Sequence, residues 1–203
     1  MRKTKEEAEK TKSKILENAL KVFLKIGYSK TTLSDIAKSA GYTRGAVYWH
    51  FKNKQEILEN LISKFHGRVF SKQKDIIESS LDPIQKIKKM VNINFPLLYN
   101  NKEFRDFVEL TWFKTEIDQH EGLLQGKIAV TKTFNDTITL LFKEALKEGQ
   151  LKKDVDPEIA ALSLTSIING IYRGYFIIPD KLQSEQTGIK IIESFLNQML
   201  KSS

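Results

Sequence analysis

The sequence predicts an all-α protein with an N-terminal three-helix helix-turn-helix domain and a larger C-terminal helical domain, about nine helices in all. Apolar residues recur at three- and four-residue spacing along most of the 203 residues, which is the period of a helix with one buried side. Capping residues, glycines and prolines separate these stretches, and no stretch alternates as a strand would. We place the domains at residues 1–54 and 55–203.

The first helix is predicted over residues 5–27 and ends at Gly27, since glycine accepts the backbone of a helix C-terminus. We expect its apolar stripe to pack beneath the helices that follow. The stripe consists of Ile15, Leu16, Ala19, Leu20, Phe23 and Leu24.

Residues 31–56 carry the signature of a helix-turn-helix. Thr32 and Asp35 have the spacing of a capping box, Gly41 suits the end of that helix, and Thr43 can cap a short second helix. Two helices joined by a glycine-containing turn are typical of proteins that place the second helix in a groove of double-stranded DNA. An ordinary helical hairpin is the weaker alternative, because one side of the second helix is too small and polar to fill a core.

The remaining helices follow from the same signals. A long helix begins at Asn53, where Asn53 and Glu56 form a further capping pair. Pro83 starts the next helix, which Pro96 should kink because proline cannot donate a backbone hydrogen bond. The predicted ranges are 53–79, 84–99, 102–114, 122–148, 156–178 and 184–201.

The positive charge is confined to the N-terminal domain. Residues 1–54 hold thirteen Lys or Arg against five Asp or Glu, whereas the other residues hold twenty of each. A basic module on a neutral body is typical of a protein that binds nucleic acid. The lysines that start the first helix have two interpretations, contact with DNA phosphates or frayed side chains in solvent.

Several other classes are disfavoured. The sequence has no cysteine, only three histidines, and no nucleophile elbow, P-loop or glycine-rich nucleotide loop, so we expect no enzyme and no cofactor. Asp118, His120 and Glu121 are adjacent rather than spaced for a metal, and we interpret them as a solvated loop. Without a signal peptide or a membrane-length apolar run, we expect a cytoplasmic protein that does not bind membranes.

The runs TTLSDIAKSAGY and TRGAVYWHFKNK closely resemble the DNA-binding domain of the TetR family of bacterial repressors. The basic lead-in RKTKEEAEKTKSKILENAL is similar to that of the multidrug-efflux, AcrR-like branch. The resemblance implies a ligand-responsive repressor that binds a near-palindromic operator as a homodimer. It also implies release by a small hydrophobic effector, with a cationic one as an alternative, and control of an efflux transporter.

The helix-turn-helix supplies the candidate DNA-binding residues. Arg44 can bond guanine O6 and N7, Gly45 permits a close approach, and threonines at a helix N-terminus can bind phosphate. The resemblance implies that Tyr48, His50 and Lys54 contact phosphate, whereas Val47 and Phe51 are expected in the core. The full set is Lys30, Thr31, Thr32, Thr43, Arg44, Gly45, Tyr48, Trp49, His50 and Lys54.

The C-terminal domain contains many aromatic residues with polar groups among them, a composition that suits a small-molecule site but also an ordinary core. By resemblance, the effector site lies among these helices. Glu109 would favour a cationic effector if buried, or would pair with Arg105 at the surface. The candidate ligand-binding residues are Phe65, His66, Asn94, Phe107, Glu109, Trp112, Phe113, Phe134, Asn169 and Tyr172.

The last two predicted helices are apolar on more than one side, which favours a subunit interface. By resemblance, such a helix pair forms the dimer contact, and the alternative is a core within one subunit. The candidate dimerisation residues are Leu164, Ile168, Ile171, Ile192, Phe195, Leu196 and Met199.

Overall fold

The computed structural model describes residues 5–114, 121–182 and 184–201, with side chains except those at 68, 94, 114 and 121–127. Ten α-helices lie within these ranges, and the predicted all-α class is confirmed. The helices are α1 Lys5–Ile26, α2 Leu33–Ala40, α3 Arg44–His50, α4 Lys54–Ile77, α5 Pro83–Asn92, α6 Asn94–Asn100, α7 Lys102–Glu109, α8 Glu121–Lys147, α9 Pro157–Ile177 and α10 Glu185–Met199.

The helix count exceeds the prediction because the expected helix over 84–99 is divided at Ile93 into α5 and α6. Pro96 lies just beyond this break. It has no N–H to donate to the carbonyl of Asn92 four residues earlier, so the break falls where the helical hydrogen-bond ladder is interrupted.

The predicted helix over 102–114 also differs, since α7 ends at Glu109 and residues Leu110–Lys114 form a π-helical turn. In a π-helix each N–H bonds one residue further back than in an α-helix. The Thr111 hydroxyl also donates to the carbonyl oxygens of Phe107 and Val108, at 3.0 and 3.2 Å.

The chain divides into two compact units, and the first comprises Met1–Gly67 with Glu103–Leu123. Its core is built on the predicted stripe of α1, in which Ile15, Ala19 and Phe23 are completely buried. The helix-turn-helix packs on α1 through Ile36 and Val47, which are also completely buried. The π-helical turn packs against α1 as well.

The second unit comprises Arg68–Lys102 with Leu124–Ser203. Its core joins side chains of α5, α6, α8, α9 and α10. The packing is tight at Gly188, where an added Cβ would lie 3.1 Å from Phe95 Cε1 and 3.3 Å from Ile171 Cγ2. Glycine therefore allows α10 to approach α6 and α9 closely.

Local capping matches the predicted helix starts in this unit. Asp82 Oδ1 accepts from the N–H of Gln85, Asp156 Oδ1 from those of Glu158 and Ile159, and the Ser184 hydroxyl from that of Thr187. Each cap satisfies backbone donors that a helix N-terminus otherwise leaves unpaired. No helix in the described ranges combines the length and apolarity required to span a membrane.

Candidate DNA-binding site

The helix-turn-helix of the first unit is fixed by reciprocal caps. The Thr32 hydroxyl accepts from the Asp35 N–H at 3.2 Å, and the Asp35 carboxylate accepts from the Thr32 N–H at 2.9 Å. The Thr32 hydroxyl also donates to Asp35 Oδ2 at 2.6 Å, and this hydrogen bond, followed by the one from the Thr32 N–H, holds the pKa of Asp35 below its usual range. Gly41 closes α2 with a φ of 73°, and the Thr43 hydroxyl accepts from the Ala46 N–H at the start of α3.

Helix α3 buries one side and exposes the other. Val47 is completely buried and Phe51 is 1% exposed, so both are core residues as predicted. On the opposite side, Tyr48 is 46% and Trp49 is 72% exposed. Large aromatic side chains so exposed on a capped helix suit contact with a partner rather than packing within the chain.

The exposed side chains of α3 contact one another in pairs. The Arg44 guanidinium donates from Nη2 to the Tyr48 hydroxyl at 3.1 Å and lies 5.2 Å from the centre of the Tyr48 ring. The Trp49 and His50 rings meet edge to face, with centroids 4.5 Å apart. Polar and aromatic groups therefore gather on one small helix, while Gly45 leaves open space beside them.

Lys54 lies at the first residue of α4, where its ammonium binds the chain's own backbone. Its Nζ donates to the carbonyl oxygens of Tyr28 at 2.8 Å and Ser29 at 2.7 Å, and lies 4.8 Å from the centre of the Tyr28 ring. Burial lowers the pKa of Lys54, and burial, followed by the Glu59 carboxylate, raises the pKa of Tyr28. We call these contacts the Lys54 clamp; they tie α4 to the turn between α1 and α2.

Two of the predicted DNA-binding residues make hydrogen bonds within the chain itself. The Thr31 side chain is 2% exposed and donates its hydroxyl to the Gly27 carbonyl at 2.7 Å, so it stabilises the turn instead of facing solvent. The Lys54 ammonium is held in the clamp. Lys30 is exposed, and it remains a predicted phosphate contact together with the other members of the set.

Lysines of α1 also pack on the helix-turn-helix. The Nζ of Lys12 lies 5.8 Å from the centre of the Phe51 ring, and that of Lys14 lies 5.4 Å from the centre of the Tyr42 ring. Cations at these distances are attracted to the ring faces. The basic character of α1 is thus brought next to the helix-turn-helix.

The predicted ligand-binding residues are distributed over both units. In the first unit, Phe65 stacks on Phe107 at a centroid distance of 4.4 Å, and His66 meets Phe107 edge to face at 6.1 Å. Phe65 and Phe107 are buried, and burial lowers the pKa of His66. Of the others in this unit, Glu109 and Trp112 are half-buried, and Phe113 is exposed.

In the second unit, Tyr172 packs against Phe95 at a centroid distance of 6.0 Å, and Phe134 packs against the core. Asn169 is half-buried, and the Asn94 side chain lies outside the described residues. A groove of about 470 Å³ opens between α8 and α9, and its described lining includes none of the predicted ligand-binding residues. It is lined by Asn135, Asp136, Thr139, Leu140, Lys143, Glu158 and Leu162.

The predicted dimerisation residues are mostly covered by the chain's own second unit. Five are buried in its core and two, Phe195 and Met199, pack partly buried against it. The five are Leu164, Ile168, Ile171, Ile192 and Leu196.

The exposed side of α9 instead follows a helical stripe that the sequence analysis missed. It begins with Ile159 and Leu162, which are 60% and 53% exposed, and ends with Ile177, which is 58% exposed. Between them lie the exposed Ser166, Gly170 and Arg173. We call these six residues the α9 stripe. The aliphatic residues at its two ends, with Ser166 and Gly170 between them at helical spacing, could have indicated it from the sequence.

Asp118 and His120, which were considered as metal ligands, lie outside the described residues, as does the Glu121 side chain. Within the part of the chain that the structure describes, no group of three or more His, Cys, Asp or Glu side chains could hold a metal ion.

A capped helix-turn-helix with an exposed side on its second helix, in the segment 1–54 that holds the excess of positive charge, defines a DNA-binding protein. Residues 15–61 match the family model described as bacterial regulatory proteins, tetR family. That range contains the capping box, both helices of the motif and Lys54.

Similarity extends well beyond the motif. The HTH-type transcriptional regulator TtgR of Pseudomonas putida is 33% identical over 184 residues, covering 90% of this chain and 88% of TtgR. The HTH-type transcriptional regulator AcrR of Shigella flexneri is 25% identical, covering 98% of this chain and 94% of AcrR.

Among solved structures, SmeT, described as the repressor of the Stenotrophomonas maltophilia multidrug efflux pump SmeDEF, is 27% identical with a TM-score of 0.79, covering 95% of this chain and 91% of SmeT. A SmeT–triclosan complex aligns with a TM-score of 0.85 at the same identity, covering 95% of this chain and 93% of that one. The chain belongs to the TetR family of bacterial regulatory proteins, and the predicted likeness to the AcrR-like branch is confirmed. It is a DNA-binding transcriptional regulator and not an enzyme.

Proposed function

We propose that this regulator is a repressor that binds a near-palindromic operator as a homodimer, and that a small hydrophobic effector releases it. The observation that carries the proposal is the exposed side of α3, where Arg44, Tyr48 and Trp49 stand on a helix with a fixed N-terminus. Arg44 is the main base-reading residue, and phosphate contacts by the basic segment 1–54 supply most of the affinity. The regulated gene encodes an efflux transporter, by analogy with SmeT.

The homodimer is supported by the α9 stripe. Its aliphatic residues are exposed to solvent although each could bury surface against a second copy. Ser166 and Gly170 at its centre have little or no side chain, and a Cβ added at Gly170 meets no atom within 4 Å. Two such stripes can therefore approach closely across a twofold axis, and paired half-sites on DNA require a twofold protein.

Residues 55–203 control DNA binding by population shift, in which a bound effector changes the equilibrium between two conformers of the protein. An effector that binds one conformer better than the other changes operator affinity by its differential affinity, and a coupling of about 1–3 kcal/mol gives a change of roughly 5- to 150-fold. Candidate contacts include the aromatic cluster of His66 and Phe107 in the first unit. A small aromatic effector is favoured by the aromatic character of these residues and by the triclosan complex of SmeT.

The proposal is tested by selecting binding sites from random duplex DNA with the full chain, then measuring affinity, stoichiometry and release. We expect a near-palindromic site that binds two chains, and weaker binding when triclosan or another small aromatic compound raises the thermal midpoint. An asymmetric site bound by one chain would contradict the homodimer. Unchanged affinity in the presence of a compound that binds the protein would contradict effector release.

The interface is tested by sedimentation of Leu162→Asp, with Ile26→Asp in the first unit as the control. Both wild-type side chains are exposed, at 53% and 40%, so neither substitution should unfold the chain. Monomers are expected only for Leu162→Asp, and an unaffected dimer would place the interface elsewhere.

A further inference from the structure

Arg44 and Tyr48 are in contact with each other on the exposed side of α3. Arg44 is the first residue of α3 and Tyr48 follows one turn later. The guanidinium donates to the tyrosine hydroxyl at 3.1 Å and lies 5.2 Å from the ring centre. An arginine side chain this exposed would otherwise sample many rotamers.

The contact leaves both side chains with the groups that DNA recognition requires. A guanidinium has five N–H donors, and the one directed at Tyr48 leaves four, of which a guanine needs two for its O6 and N7. The tyrosine oxygen accepts from Arg44, so its own O–H proton remains available for a phosphate oxygen. Donation therefore runs outward from Arg44, to guanine on one side and to Tyr48 on the other, and from Tyr48 to a phosphate of the DNA backbone.

We propose that Arg44 and Tyr48 read DNA as one unit, in which Tyr48 is a positioning residue that sets the orientation of the Arg44 guanidinium. Tyr48 thereby contributes to base discrimination without touching the base that Arg44 reads. The proposal rests on the proposed function, since it deepens the role given to Arg44 there.

A double-mutant cycle tests this directly. Tyr48→Phe removes only the hydroxyl of an exposed side chain, and Arg44→Ala removes its partner. Affinities of the wild type, both single variants and the double variant are measured on the selected operator and on versions with each base pair changed. The base pair read by Arg44 is the one whose preference disappears in Arg44→Ala.

We expect Tyr48→Phe to weaken operator binding about 5-fold when Arg44 is present and less than about 2-fold in the Arg44→Ala background. It should also reduce discrimination at the base pair read by Arg44 and leave the other positions unchanged. Tyr42→Phe, a tyrosine in the turn before α3, is the matched control and should show no dependence on Arg44.

An equal loss in both backgrounds and on every sequence would mean an independent phosphate contact and would overturn the proposal, as would no loss at all. A wild-type protein without sequence-specific binding would instead refute the proposed function itself. The two failures are thus distinguishable in one experiment.

Discussion

Replacing Lys54 with methionine separates two roles that a lysine near DNA can have. The Lys54 clamp commits the ammonium to the Tyr28 and Ser29 carbonyl oxygens, at 2.8 and 2.7 Å. If the clamp is its function, the substitution lowers the stability of the first unit and leaves the number of phosphate contacts unchanged. If Lys54 binds phosphate, the substitution removes one such contact and affects stability little.

The expected magnitude follows from the clamp's contacts. A hydrogen bond contributes a net stabilisation of about 0.5–1.5 kcal/mol, and a cation over an aromatic ring about 0.5–1 kcal/mol at an exposed site. Lys54 is only partly buried, and methionine retains the packing of the aliphatic stem, so we expect a loss of about 1–2 kcal/mol. In a chain of this size 1 kcal/mol shifts the Tm by roughly 2–4 °C, which gives a decrease of about 2–8 °C.

The assay combines thermal unfolding with the salt dependence of operator binding. Each neutralised phosphate contributes about 0.9 to the slope of log affinity against log salt. Lys54→Met should lower the Tm and keep the wild-type slope. Lys30→Met is the matched control, because Lys30 is exposed and its loss should leave the Tm unchanged. A reduced slope with an unchanged Tm for Lys54→Met would refute the clamp.

Three further outcomes are expected. Thr32→Ala removes the N-cap of α2 and should cost about 0.5–2 kcal/mol in urea unfolding, whereas Thr32→Ser keeps the hydroxyl and should cost little. Burial lowers the pKa of His66 in the folded state, so the unfolded chain binds this proton first as the pH falls below about 6.5. Stability should therefore decrease below that pH, and a His66→Asn variant with the same pH dependence would contradict this. Wild-type operator affinity should fall steeply with salt, and a flat log–log plot would rule out phosphate neutralisation.

Local signals in the sequence were sufficient for most of the fold. The caps at Thr32, Thr43 and Asp156 are short-range hydrogen bonds between residues two or three apart, so their residue types and spacing predict them. The core positions Val47 in α3 and Phe51 just after it could also be predicted, since Arg44, Gly45 and His50 of the same segment are too small or too polar to fill a core.

Contacts between distant residues could not be predicted in this way. Lys54 reaches carbonyl groups about 25 residues earlier, and no local pattern distinguishes that clamp from a phosphate contact. Periodicity identified the apolar side of α10 but not the residues that cover it. Leu196 was therefore predicted to lie in the dimer interface, whereas the core of its own subunit buries it. The α9 stripe was not predicted because Ser166 and Gly170 at its centre contribute too little apolar surface to extend a hydrophobic pattern along the helix.

The first unit is discontinuous in sequence, and this limits how the DNA-reading part of the chain can be transplanted. Phe107 of α7, which stacks on Phe65 of α4, belongs to the same unit as the helix-turn-helix. A fragment ending at residue 67 would leave Phe65 without that covering ring. A chimaera that exchanges operator preference between relatives should therefore carry α7 and the π-helical turn with the N-terminal segment, or confine the exchange to the exposed residues of α3.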